Sequence, residues 1–570
     1  MPSRRFVPPS LKGNLNVSNA AIYFHPDGYV TARKDLKGRH VAGESFLGGF
    51  FRHAETGEFV CHADSPALAK LFVEMAGRAA PGRPVRLVPT REPQALGGVG
   101  CLFVPGPGIG QFAWRRRGAN QRAYSLCGVT HTTSESPDNF GDLVTAPIQP
   151  WDAVICTSWA ARSSVESVLL PYADYLRSRL GAKSLPLPHL PVIPLGIDTA
   201  AFRFGDAERQ AERQRLGIAD EDVAVLFMGR LSFHAKAHPF PMYVALQRAA
   251  ERTGRRIHLI QAGWFGNDAI AGAFMQGARR YCPDVNPIFL DGRLPEVRNR
   301  VWAAADLFTS LVDNIQETFG LTPVEAMAAG LPCVITDWNG YRETVRHEID
   351  GFRVPTVMAP PGSGIDLADH YAAGIDTYDY YVGRASQITA VDIDAAAAAY
   401  ERLVTDADLR RRMGEAAQAR AVEVFDWRSI IPRYQELWRQ LAILRGDFEE
   451  SVPWDGAGSG PNPLRPDPMT MFAAYPTAAL SGAMRLVRTP QASMAALAER
   501  LSDPMNSPAH GLLSPPADLS LALDAFAPPQ GRSVAEVAAL VPEERRLLLM
   551  RSLCHLMKLG LLRLQRPLQP

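Results

Sequence analysis

Glu317 and Glu325 stand eight residues apart in the stretch ETFGLTPVEAMAAGLPCVITDWNGYRETV, residues 317–345. The apolar run Leu307 to Val312 ahead of it reads as a strand, and VEAMAAG, from Val324 to Gly330, reads as a short helix stopped by glycine. Glu317 is then expected in the loop after the strand and Glu325 in the first turn of the helix. Phe319, Gly320 and Leu321 fall in the connection, where backbone N–H groups at a helix N-terminus can meet a diphosphate. A carboxylate beside such an anion site can accept hydrogen bonds from sugar or ribose hydroxyls. The plainer reading of Glu325 alone is that it complements the helix dipole. Upstream, FMGRLSFHAK places Arg230 just after a strand and Lys236 six residues on. Two cations at the mouth of a sheet suit a nucleotide diphosphate, which gains negative charge as it leaves; alone, they would read as a solvated basic loop. His131, in GVTHTTS, follows a strand and is expected to face a cleft, although a single histidine more often serves structure. Gly43, in VAGESFLGGFF, is expected to open a helix.

These residues need a scaffold, and the chain supplies two α/β series. In the first, AIYFHP, VRLVPT, CLFVPG, SLCGVTHT and AVICTS read as strands, with helical stretches such as SPALAKLFVEMAGRA between them. LPVIPLGID (190–198) is expected to be the last strand of that half. VAVLFMGR, RIHLIQAG, NPIFLDG, LFTSLV and PCVITD continue the pattern in the second half. Strands alternating with helices imply parallel sheets, and ligands in such sheets sit at the carboxyl ends of the strands. The expected organisation is an N-terminal Rossmann-like lobe at 1–204 and a second such lobe at 205–424. A helix is expected at 425–446, with Trp427 and Trp438 burying large apolar area. A Pro/Gly-rich linker at 447–470 and a helical, winged-helix-like domain at 471–570 complete the chain. The tyrosine- and aspartate-rich segment from Val357 to Ser386 either lines the acceptor side or covers the second lobe.

Composition narrows the classes. The chain has 570 residues, too many for one core. A net charge of +1 gives no global drive toward nucleic acid or anionic membrane. The start MPSRRFVPPSLKG lacks the apolar stretch of a secretory leader, and no run is long enough to span a membrane. The seven cysteines form no CxxC pair, which argues against a zinc site or a disulfide framework and fits a reducing compartment. GPGIGQ (106–111) fails as a dinucleotide fingerprint because Gln111 takes the third glycine's place and no helical pattern follows directly. The Arg115–Arg116–Arg117 run reads as solvated surface, with an acidic acceptor as the other possibility.

The stretch from Glu317 through EAMAAGLP to Gly351 resembles the E-x7-E pattern of retaining glycosyltransferases with the GT-B fold, family 4. GRL with Lys236 resembles that family's diphosphate site, departing from it at Ala237, where glycine is usual. The resemblance covers about 400 residues, from Gly43 to Leu444. It implies that the lobe at 1–204 is the acceptor side, that the lobe at 205–424 is the donor side, and that the helix at 425–446 crosses back onto the first lobe. It also implies that Glu325 binds the nucleotide ribose and Glu317 the donor sugar. Phe319, Gly320, Leu321 and Thr322 would contact sugar and diphosphate, and Gly43 would approach the phosphates. His131 would lie near the bond being broken. The implied reaction is transfer of a hexose-type sugar, with retention, from a UDP- or GDP-sugar to a saccharide, lipid-linked or small-molecule hydroxyl. Neither cofactor nor essential metal is expected. The expected setting is the cytoplasm, with membrane-surface association left open.

Rival readings are weaker. A hydrolase needs two carboxylates flanking the bond, which Glu317 and Glu325 do not resemble. A glycan phosphorylase would show a cofactor-lysine segment, and none is matched. A DNA-reading tail would place Arg545, Arg546, Arg551 and Lys558 on a recognition helix, but they are interleaved with a leucine face that suits core packing or a protein partner. The main alternative is a non-catalytic nucleotide-sugar-binding scaffold or regulator with a winged-helix interaction module.

Overall fold

The structure, a computed structural model, describes residues 19–30, 38–135, 137–451, 453–454, 461–529 and 531–565. The opening MPSRRFVPPSLKG and the linker residues 455–460 lie outside these. The chain divides into two compact units, Met1–Ala457 and Gly458–Pro570.

The first unit holds two six-stranded parallel sheets. Strands β1 (Ala21–Tyr23), β2 (Phe59–Ala63), β3 (Val85–Pro89), β4 (Cys101–Phe103), β5 (Ser125–Val129) and β6 (Ala153–Ile155) lie in the order β3-β2-β1-β4-β5-β6. Strands β7 (Val223–Met228), β8 (Ile257–Gly263), β9 (Val285–Asp291), β10 (Leu307–Ser310), β11 (Cys333–Thr336) and β12 (Gly351–Val354) repeat that order as β12-β11-β10-β7-β8-β9. Each lobe is therefore Rossmann-like, with its strand order reversing between its first and fourth strands. Helices cover both faces of each sheet, so the strands read as near-continuous apolar runs. In the first lobe Phe103 and Cys127 enter one core while Leu102 and Leu126 enter the other.

The chain passes between lobes twice, and the two passages lie side by side. Ile197 N–H donates to the Phe425 carbonyl at 2.9 Å, and Trp427 N–H donates to the Ile197 carbonyl at 3.1 Å. Thr199 Oγ1 donates to Asp426 at 2.5 Å. Asp426 interrupts the helix expected from Phe425: its carboxylate caps a new helix, Trp427–Asp447, through Arg428 N–H at 2.8 Å. Trp427 is wedged between Gly49 and Gly196, where added Cβ atoms would stand 2.3 and 2.7 Å from its side chain. Its indole donates to Ser45 at 2.8 Å.

Several expectations are corrected. LPVIPLGID makes only isolated bridges, Val192 with Cys156 among them, because Pro191 and Pro194 carry no N–H for a ladder. A helix, Gly110–Arg117, follows directly after GPG; Gly110 serves packing, since a Cβ there would land 1.9 Å from Asp142, while Gly106 and Gly108 have nothing within 4 Å. Arg116 is fully buried rather than solvated, paired bidentately with buried Asp152 at 2.6 Å on both arms. Gly43 lies inside the Gly38–His53 helix instead of opening it; a Cβ there would sit 1.7 Å from the Gly28 carbonyl oxygen, so it permits close packing of that helix on the turn after β1.

The segment after β12 forms an antiparallel pair, β13 (Thr356–Met358) with β14 (Thr389–Val391), enclosing helices Ile365–Ala372 and Tyr378–Gln387. The second unit has a three-stranded antiparallel sheet with β15 (Arg485–Arg488) between β16 (Arg532–Ser533) and β17 (Leu562–Leu564). Its helices include Met494–Leu501, Pro516–Ala525, Val534–Ala538 and Arg546–Lys558, and Leu549, Leu553 and Leu556 fill its core. Among the described residues no helix is long and apolar enough to cross a membrane.

Candidate active site

The candidate site lies where the second sheet changes direction. β7 ends into Gly229 and Arg230, and the neighbouring β10 ends into the loop carrying Glu317. Lys236, on the loop after β7, forms an ion pair and hydrogen bond with Glu317. Burial opposes charge on both groups. The Lys236 ammonium nevertheless holds the Glu317 carboxyl below its usual range, helped by the backbone N–H groups of Phe319 and Thr318. Burial likewise opposes the Lys236 charge, but Glu317 pushes its pKa above the usual lysine range.

Arg230 is tied into the same loop pair. Its guanidinium donates to the Ala235 carbonyl at 2.9 Å and to Gln316 Oε1 at 2.7 Å. Burial lowers its pKa while the nearby Asp379 and Tyr378 raise it; an arginine stays charged throughout. The loop is set by buried Asn314, which donates to the His234 carbonyl at 2.6 Å and accepts from Gln316 N–H at 2.8 Å. Asn339, after β11, donates to the Glu317 carbonyl at 2.8 Å.

Gly320 turns the chain into the helix Leu321–Ala328 with φ of 95°, and a Cβ there would stand 2.1 Å from the Tyr341 ring. Only glycine fits both the backbone and the space. Leu321 and Thr322 open the helix, so their N–H groups have no partner within it. Glu325 lies in the second turn rather than the first, because the helix begins at Leu321. Burial pushes its carboxyl up to about 7, against the opposing charges of Arg298 and Lys236. Phe319 packs its ring inward against Phe425 and offers the site only its backbone.

The first lobe meets this loop directly. His131, after β5, accepts a hydrogen bond from Thr318 Oγ1 on its carbonyl, and its Nε2 lies 3.2 Å from the Pro105 carbonyl. Ser158, after β6, donates to the Thr318 carbonyl at 2.7 Å. Lys236, Glu317, Arg230 and His131 thus belong to one seam, while Gly43 belongs to packing within the first lobe. Gln316, Thr318, Ser134 and Tyr378 complete the seam and were not singled out from sequence; Gln316 had only its place beside Glu317 to mark it, and Tyr378 its place in a tyrosine-rich run.

Residues 222–373 match the family model for glycosyl transferases group 1. That span carries Arg230, Lys236, Glu317 and Glu325. The D-inositol 3-phosphate glycosyltransferase of Geodermatophilus obscurus is 31% identical over 194 residues, 32% of this chain and 38% of the relative. Its namesake from Nocardia farcinica is 30% identical over 165 residues, 29% of this chain and 36% of the relative. The match thus spans well under half the length of these relatives. A solved glycosyltransferase structure from Rickettsia africae ESF-5 is similar over 74% of this chain and 98% of its own, with 11% identity and a TM-score of 0.50. The shared fold is GT-B: two Rossmann-like lobes.

Proposed function

We propose that the chain is a retaining glycosyltransferase of the family 4 type, moving a hexose-type sugar from a UDP- or GDP-sugar to a hydroxyl acceptor. The observation that carries the reading is the Lys236–Glu317 pair with Arg230 at the sheet's switch point, beside the start of the Leu321–Ala328 helix. The match to the glycosyl transferases group 1 model supports it.

In this reading the diphosphate lies against Arg230, Lys236 and the N–H groups of Leu321 and Thr322. Glu325 takes the ribose hydroxyls and Glu317 the sugar, with His131 close to the reacting carbon. The bond from the anomeric carbon to the diphosphate oxygen breaks, and the acceptor oxygen bonds to that carbon on the same face. The acceptor's proton passes to the departing diphosphate. The protein's contribution is positioning and electrostatic stabilisation of the leaving group. Arg230 and Lys236 carry that charge in place of a metal. The sheet and helices of the second unit support a winged-helix-like module that binds a protein partner, and the cytoplasm remains the proposed setting.

A thermal-shift series with UDP, GDP, ADP and their sugar conjugates tests the donor site, since a ligand of the folded state raises the melting temperature. Stabilisation by UDP or GDP, followed by sugar transfer from the matching conjugate, is the expected result. No shift with any of them would favour the non-catalytic scaffold.

A further inference from the structure

Tyr378 begins the second helix of the β13–β14 segment, and its hydroxyl lies at the junction of both lobes. Gln316 Nε2 is 2.9 Å from it, and Ser134 Oγ, on the loop after β5, is 3.0 Å away on the other side. The direction of the Gln316 bond follows from Arg230. A guanidinium only donates, so Gln316 receives it on Oε1 and must present its NH₂ to Tyr378. Tyr378 accepts there, and its hydroxyl shares a second hydrogen bond with Ser134 Oγ, in which either oxygen can donate. Arg230, Gln316, Tyr378 and Ser134 therefore form one connected hydrogen-bond chain, and each bond polarises the next. Burial raises the Tyr378 pKa, keeping the hydroxyl protonated and able to donate. A second tyrosine of the segment, Tyr371, also reaches the first lobe, donating to the Glu135 carbonyl at 3.2 Å, but none of its described hydrogen bonds goes to Gln316.

We propose that Tyr378 is a positioning residue: it fixes the Arg230 guanidinium through Gln316, and does so only while Ser134 of the first lobe is in contact. The proposal rests on the glycosyl-transfer reading for its catalytic meaning. It makes the aim of the leaving-group cation depend on closure of the cleft, so a donor bound in an open cleft would not be activated toward water.

The test uses the full chain with the donor identified by thermal shift. Tyr378→Phe should lower kcat for transfer about 10- to 100-fold, with donor KM changed by less than about threefold, and should lower donor hydrolysis along with transfer. Ser134→Ala should lower kcat similarly, and the double variant should be no worse than either single one. Tyr371→Phe, which removes a bridge between lobes without touching Gln316, should keep kcat within about threefold of the parent. Equal losses in Tyr371→Phe and Tyr378→Phe, or an unaffected Tyr378→Phe, would overturn the proposal. Nitrogen-15 NMR of arginine side chains reads Arg230 without turnover. Its guanidinium signal, assigned by its loss in Arg230→Lys, should broaden in Tyr378→Phe and persist in Tyr371→Phe; an unchanged signal in both sinks the claim. A parent protein that transfers no sugar would defeat the underlying reading, while the NMR result still decides what Tyr378 does to Arg230.

Discussion

At the scale of single residues, the candidate site is a set of charges whose states are fixed by their neighbours. Arg230 is the cation with the fewest acidic contacts in its own loop, since Gln316 and a carbonyl hold it rather than a carboxylate. Arg230→Ala should therefore lower transfer about 10²- to 10³-fold while leaving the melting temperature within a few degrees, as steady-state kinetics and a thermal melt would show. Glu325 makes a different prediction. The folded protein holds its proton up to about pH 7, against 4.5 for an ordinary glutamate. The linked stabilisation is full below pH 4.5 and is lost as pH rises through 7, at up to about 1.4 kcal/mol per pH unit. Melting temperature plotted against pH should flatten across that window in Glu325→Gln, with a residual slope from Asp313, which burial also pushes up to about 7. The ionisable residues were legible in the sequence because charge next to strand ends is visible there. Gln316, Ser134 and Tyr378 were not, because they meet only after loops from both lobes converge. Arg116 was misread for the same reason, its partner Asp152 lying on a different segment.

At the scale of elements, the turn into the Leu321–Ala328 helix is the part least tolerant of change. Gly320→Ala meets both an unfavourable φ and the Tyr341 ring, whereas Gly82, with φ of 80°, has nothing within 4 Å of its would-be Cβ. Gly82→Ala should cost about 1 kcal/mol and leave nucleotide binding intact. Gly320→Ala should cost more and abolish the nucleotide-dependent rise in melting temperature, because relieving the clash moves the helix start; equal behaviour of the two variants would contradict this. Element type was readable from the alternation of apolar runs and amphipathic stretches. Element edges were not: the helix at Gly110 hides behind GPG, and the expected strand at 190–198 is undone by its prolines.

At the scale of the molecule, the helix Trp427–Asp447 fastens the end of the second lobe to the first through aromatic packing of Trp427, Trp438 and Tyr434 against Phe46, Phe50 and Phe103. Trp427→Ala should destabilise the first unit by about 3–5 kcal/mol, measurable by denaturant titration. The two passages between lobes are joined by hydrogen bonds at Ile197, Thr199, Asp426 and Trp427. Two covalent tethers set apart would resist almost any relative motion; set together, they act as a single pin. A single pin of this kind favours rotation of one lobe about it over sliding or shear. Rotation about that pin would part the Thr318 and Tyr378 contacts together, so that loosening one end of the seam announces itself at the other.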